Sequence, residues 1–444
     1  MLWHRLFFAF PLAHAARFRV PHDHSHSVDK RLPTSWYQPE DHPVHALFKR
    51  DQPTDGTNYP QVGTPTWSSA YPASSPDVNA LPQQWVDALN DAVEAGNIPN
   101  IPQSKNTPNT NPVYPMGYNP NGAEICSATY KCRIPGDIWD APANYFGISF
   151  DDGPTEASPR LLQFLEAHNQ KATHFMIGVN IIENPQLFLD IFHAGHDIAV
   201  HTWTHPYMTT LSNLEVVAQL GWTTELIRNS TGGRVPRYWR PPYGDSDMRV
   251  RSIAKEVFGL ETVLWNHDTE DWSLTSNGTT PQIIHDSFVQ WLSGPKDPGL
   301  ITLEHELSDM SVNAFMDAWT LIGPAGWQTA SLASIIGDST YQNSDDSDSP
   351  VTADSAIADT TAALVPQSSS GTQAHQSQTT ASDSSSSTKV VLSTSTVSPP
   401  ASAASAVAQS VQTSHAAPLV LRDPSYATFS ICIAALMATF SILV

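Results

Sequence analysis

Basic residues are scarce in this chain. Lys and Arg number 22 against 43 Asp and Glu, a formal net charge of -21 over 444 residues. Nucleic acids and anionic membranes are bound through basic patches, so neither suits this chain as its main partner. Cysteine is scarcer, at three. Cys432 lies in a C-terminal apolar run, which leaves Cys126 and Cys132 near enough in sequence to close a small loop. In a secreted chain a disulfide between them is the default expectation. Large apolar side chains are almost missing from residues 343–417, which are Ser, Thr and Ala with scattered Asp. Such a segment cannot bury enough surface to fold and reads as a glycosylated stalk.

What is present at the two ends reads as processing signals. Residues 1–15, "MLWHRLFFAFPLAHA", carry a cation at Arg5, a short apolar run and a small-x-small site at Ala13-His14-Ala15. That is a secretory signal peptide. The dibasic pairs Lys30-Arg31 and Lys49-Arg50 make residues 16–50 a candidate propeptide. It would remove the His22, His24 and His26 tract, which gets no catalytic role. At the other end, "YATFSICIAALMATFSILV" is apolar to its last residue, with no cation after it. A spanning helix usually has cytoplasmic cations. Small residues around Ser414 to Ala417, a spacer and a tail make residues 418–444 a GPI-attachment signal, with a true tail anchor as the rival. The expected location is the outer face of the plasma membrane or the cell wall. Sequons at Asn229 and Asn277 suit that compartment.

Residues 51–125 are rich in Pro, Asn, Gln and Ser, interrupted by one helix, "LPQQWVDALNDAVEAG". Trp85, Leu89, Ala92 and Val93 line one face of it, and Gly96 stops it. This extension is expected to pack on the main domain, residues 126–342. There, strand-like runs such as "YFGISF", "ATHFMIG", "HDIAVH" and "GLITLEH" alternate with helical segments. Alternation of this kind predicts parallel strands joined by crossover helices, an α/β barrel or open sheet.

Polar residues stand just past the strands: Asp151 and Asp152, His201 and His205, Arg240, Asp268 and Asp271, and His305. In parallel α/β folds these carboxyl ends share one face, where active sites are built. His201 and His205 are four apart, so a helical turn would aim both rings the same way. Two imidazoles with one carboxylate form a common zinc set that leaves positions open for water and substrate. The adjacent acids then divide their work. One binds the metal, and its neighbour stays ionised as a base toward water whose pKa the cation lowers. His174, His193 and His196 read as packing or surface residues.

The motifs "SFDDGP", "HTWTH", "RPPYG", "DTEDW" and "LEH" resemble, in order and spacing, the polysaccharide deacetylases, carbohydrate esterase family four, over residues 130–340. With the secretion signals and stalk, the likeness extends to the fungal chitin deacetylases. The resemblance implies a distorted (β/α) barrel with fewer than eight strands. It implies hydrolysis of N-acetyl groups on GlcNAc polymers such as chitin, with a divalent metal, Zn2+ first and Co2+ second. Asp151 then resembles the general base, and Asp152, His201 and His205 the metal ligands. Arg240 would pair with Asp151, and the Tyr243 backbone N–H would meet the oxyanion. His305 would be the general acid, held protonated by Asp268, while Trp272 and Leu303 would wall the acetyl pocket. Asp271 is left as a structural residue of its loop.

Two competing readings remain: a deacetylase or esterase for another acetylated polymer, such as xylan or peptidoglycan, and a non-catalytic wall adhesin. A binding module has no need of a paired base and acid, which counts against the second.

Overall fold

The structure, a computed structural model, describes residues 52–107, 110–353 and 356–358. The expected signal peptide, propeptide, histidine tract and C-terminal attachment signal lie outside those residues. Eight strands form the central sheet: β1 (Tyr145–Gly153), β2 (Thr173–Met176), β3 (Asp197–Val200), β4 (Tyr238–Trp239), β5 (Glu261–Thr262), β6 (His267–Asp268), β7 (Leu300–Leu303) and β8 (Gln328–Ser331). Seven of them follow the path β5-β4-β3-β2-β1-β7-β6, and β8 lies beside β1. All these pairings are parallel. Since β5 and β6 end the path, the result is an open, distorted barrel. β2, β3 and β7 are buried at every residue, as strands covered on both faces must be.

The helices are α1 (Gln83–Glu94), α2 (Ser158–Ala167), α3 (Gly178–Glu183), α4 (Pro185–His193), α5 (Asn213–Ser230), α6 (Met248–Phe258), α7 (Pro281–Leu292) and α8 (Asp309–Ile322). Their starts are chemically defined. Ser212 and Glu215 close a capping box on α5, and Asp247 and Thr280 accept from Val250 and Ile283 N–H on α6 and α7.

In the extension, α1 buries Trp85, Ala88, Leu89 and Ala92. Val93 is 46% exposed, so Ala88 takes the place that the sequence reading assigned to it. Trp85 meets Trp222 and Phe258 edge-on, at 5.0 and 5.8 Å between ring centres. A Cβ at Gly221 would lie 2.6 Å from the Trp85 ring, so the close approach of α1 to α5 depends on that glycine. Burying a side chain of Leu or Phe size contributes roughly 1.5–3 kcal/mol. At the far end, packing continues past residue 342. Ser344, Ser347, Ile357 and Ala358 are buried, and Arg234 donates to the Ser349 carbonyl at 2.8 Å. The start expected for the stalk, residue 343, is therefore corrected: small residues pack there because buried Arg234 and His196 use their backbone and hydroxyl groups.

Candidate active site

The end of β1 breaks its own alternation. Successive side chains of a strand point to opposite faces, which would separate Asp151 from Asp152. The register shifts between Asp151 and Gly153, and Asp152 adopts φ 71°. Both carboxylates therefore reach one imidazole: His201 Nε2 lies 3.3 Å from Asp152 Oδ1 and 3.8 Å from Asp151 Oδ2. Three more non-glycine residues here are left-handed, Thr202 (φ 67°), His205 (φ 59°) and Tyr243 (φ 60°). Each costs roughly 1–2 kcal/mol, and strain of this kind gathers at functional sites.

The HxxxH segment corrects the expected helical turn. Residues 201–205 form a loop, and left-handed Thr202 and His205 fold it so that the two rings sit 4.9 Å apart. Thr202 Oγ1 accepts from His205 N–H, and the Gln219 carboxamide of α5 accepts from both Trp203 and Thr204 N–H. Gln219 was not singled out in the sequence, where it is one polar residue in a helix.

Asp152, His201 and His205 each offer one ligand atom within 4.8 Å of the others, the one such group among the described residues. His201 Nδ1 donates to the Arg240 carbonyl at 2.8 Å, which leaves Nε2 as the lone-pair nitrogen facing Asp152. Asp152 Oδ1 is buried without a hydrogen-bond partner. Burial and His201 pull His205 down to about 4, so its ring is neutral, as a ligand must be. Burial opposes ionisation of Asp152, but His201, His205 and His305 together hold it below the ordinary carboxylate range. An orphaned carboxylate oxygen facing two imidazole nitrogens fits a divalent cation.

Asp151 is 2% exposed and is gripped by fully buried Arg240, whose Nη1 donates to Oδ1 at 2.6 Å. The guanidinium also reaches Ser149 Oγ at 3.2 Å and lies over the Phe175 ring. Removing either partner of such a pair leaves an uncompensated buried charge. Asp151 is bridged in parallel to His305: its N–H donates to the Glu304 carbonyl and its carbonyl accepts from Glu306 N–H. Acid and base candidates are thus register partners on adjacent strand ends.

Asp268 does not hold His305, which corrects that expectation. His305 Nδ1 lies 2.6 Å from Asp271 Oδ1, and its backbone N–H donates to Asp271 Oδ2 at 2.8 Å. Asp268 is exposed and accepts from Glu270 N–H instead. Glu270, with φ 55°, reverses the chain so that Asp271 points inward, a turn that the string DTED does not reveal. Burial would lower the His305 ring. Asp271, aided by Asp152 and Asp151, overrides this and pushes it up to about 10. Behind it Glu304 is buried, and burial and Asp271 raise its carboxyl well above the usual range. Glu306 bonds His174 Nδ1 at 2.7 Å, and His174 Nε2 meets His196 Nδ1 at 2.9 Å. His174 and His196 are buried packing residues, and His193 is exposed.

The Tyr243 ring is half-exposed, stacked on Tyr207 at 4.0 Å and edge-on to His205. Trp272 is half-exposed, whereas Leu303 is buried with Phe175 and Trp265. Cys126 and Cys132 form a disulfide. Of the two sequons, Asn277 is exposed at a turn. Asn229 is half-buried within α5, its amide nitrogen bonded to Tyr71 and Glu225.

The polysaccharide deacetylase family matches residues 140–263. A chitin deacetylase 3 of Cryptococcus neoformans var. neoformans is 42% identical over 321 residues, covering 70% of this chain and 75% of that protein. Chitin deacetylase 2 of Saccharomyces cerevisiae is 41% identical over 196 residues, covering 44% of this chain and 60% of that protein. The solved chitin deacetylase of Colletotrichum lindemuthianum is 24% identical and covers 47% of this chain and 97% of its own, with a TM-score of 0.43.

Proposed function

Because the chain belongs to the polysaccharide deacetylase family, we propose that it hydrolyses the N-acetyl groups of chitin, giving chitosan and acetate. One observation carries this reading. A base candidate held by Arg240 and an acid candidate held by Asp271 flank the Asp152, His201 and His205 set. An amide carbonyl is a poor electrophile and an amine a poor leaving group, so both kinds of help are required.

Asp152, His201 and His205 would hold the metal. With two nitrogen donors and one oxygen, Zn2+ is the fitting ion and Co2+ a workable one. Bound there, a divalent ion supplies a Lewis acid to the acetyl carbonyl and lowers the pKa of water. The Asp151 carboxylate takes a proton from the attacking water, and Arg240, paired with it, keeps it aimed. The Tyr243 backbone N–H receives the oxyanion of the tetrahedral intermediate. His305, protonated through Asp271, then gives its proton to the departing nitrogen. Trp272 and Leu303 border the acetyl methyl.

Acetate release from chitin oligomers, acetylxylan and peptidoglycan, measured side by side with and without a chelator, tests the substrate. Chitin oligomers are expected to be fastest and the chelator to abolish release. Fastest turnover of acetylxylan would overturn the chitin assignment.

The site of action is the outer face of the plasma membrane or the cell wall, reached by secretion and a GPI lipid. The small residues around Ser414 to Ala417, followed by a spacer and an apolar run, support this. A phosphatidylinositol-specific phospholipase is expected to release the protein from intact cells. Retention after full digestion would point to a spanning tail.

A further inference from the structure

Beside Tyr243 lies a cavity of about 260 Å³, walled by Asn111, Thr129, Lys131, Trp265 and Asp268 among others. One of its walls, Tyr243, has its ring edge-on to His205, and another, Asp268, ends β6 three residues before Asp271, so cavity and centre adjoin. The opposite wall comes from residues 111 to 131, upstream of residue 140, where the family match begins. This part of the cleft is therefore built by residues upstream of the family match, Asn111 from the extension and Ala128, Thr129 and Lys131 from the start of the main domain.

That wall is fixed in place. The disulfide Cys126–Cys132 closes the loop, and buried Arg251 donates to the Cys126 and Cys132 carbonyls. Ala128 N–H donates to the Ser246 carbonyl at 2.8 Å, and Thr129 Oγ1 to Asp245 Oδ1 at 3.0 Å. The same Asp245 accepts from Thr209 N–H at 2.8 Å, just past the HxxxH loop. One carboxylate thus ties the disulfide loop to both the Tyr243 turn and the histidine segment. Lys131 stands at the end of this loop with φ 62°, exposed, its ammonium 5.3 Å from the centre of the Trp265 ring. Trp265 is 7% exposed, and its indole Nε1 has no hydrogen-bond partner.

An indole, an ammonium, a carboxylate and a carboxamide around one small cavity suit a pyranose ring carrying hydroxyl and acylamino groups. The volume falls below the roughly 300–1,000 Å³ of a site that holds a whole ligand, so it suits one sugar unit of a longer chain. We propose that this cavity is a subsite for the glycan unit next to the one losing its acetyl group. Lys131 is its specificity-determining residue, donating to that unit's hydroxyl or amide oxygen, and the disulfide holds Lys131 there. The inference rests on the glycan deacetylase reading above.

The test uses the full chain, its Lys131→Ala variant and the more conservative Lys131→Gln variant, on GlcNAc oligomers from dimer to hexamer. Loss of a hydrogen bond to a charged donor corresponds to about a tenfold rise in KM for the pentamer. The kcat is expected to change less than KM, the position of the deacetylated unit to shift, and Lys131→Gln to recover part of the loss. Calorimetric binding of the pentamer to the same proteins separates the two readings. If the parent releases no acetate but binds, and Lys131→Ala weakens binding, the activity fails and the subsite stands. Unchanged KM, product pattern and binding in both variants overturn the subsite, as does a fall in kcat alone.

Discussion

Asp151→Asn is expected to reduce deacetylation about 10²–10⁴-fold, the range spanned by a single positioned acid or base, while the protein retains its metal. The Asn side chain keeps the shape of the carboxylate and still accepts from Arg240, but it cannot take a proton. Arg240 is 0% exposed, and removing its counter-charge costs roughly 3–5 kcal/mol at most, less the surviving hydrogen bond. The variant should therefore melt several degrees lower, and assays belong well below that midpoint. His201→Ala provides the contrast: activity and metal are expected to be lost together, because one of the three proposed ligands would be gone. Elemental analysis of both variants beside acetate release makes the distinction. Near-normal turnover by Asp151→Asn would remove Asp151 from the role of base, whatever the metal content.

Asp271→Asn should move the alkaline limb of the kcat/KM profile downward by whole pH units. The direction follows from the charge on the ring. The proposed acid role needs His305 protonated, and Asp271 raises its pKa from an ordinary 6.5 to about 10. The proton donor is then present below about 10 and is lost as the pH rises through that value. With the Asp271 charge removed, burial pulls the ring down, and the donor is lost at lower pH. Asp268→Asn is expected to leave this limb in place, its effect falling on KM through the adjoining cavity. If Asp268→Asn moved the limb and Asp271→Asn did not, the geometric pairing of Asp271 with His305 would have no catalytic meaning.

The difference between those two acids marks where sequence reasoning ran out. Both stand in "DTEDW", three residues apart, and either could face an imidazole. The left-handed Glu270 between them decides, and nothing in its side chain announces that conformation. HxxxH is similar. Its spacing told of convergent rings, but the ring approach comes from two left-handed loop residues rather than from a helical turn. Glu306, His174, His196 and Gln219 were invisible as partners, since their bonds span up to 132 residues of sequence.

The chemistry of this site was in the sequence by itself. Paired acids after an apolar run, two spaced imidazoles, an arginine and a late histidine recur at strand ends, and alternating periodicity implies that strand ends share a face. That much is local, because strand and helix patterns depend on neighbours a few residues away. Which acid holds which imidazole, and which loop walls the cleft, only the tertiary structure decided. Those outcomes depend on backbone turns of one or two residues and on contacts between segments a hundred positions apart, where small differences in φ redirect a whole side chain.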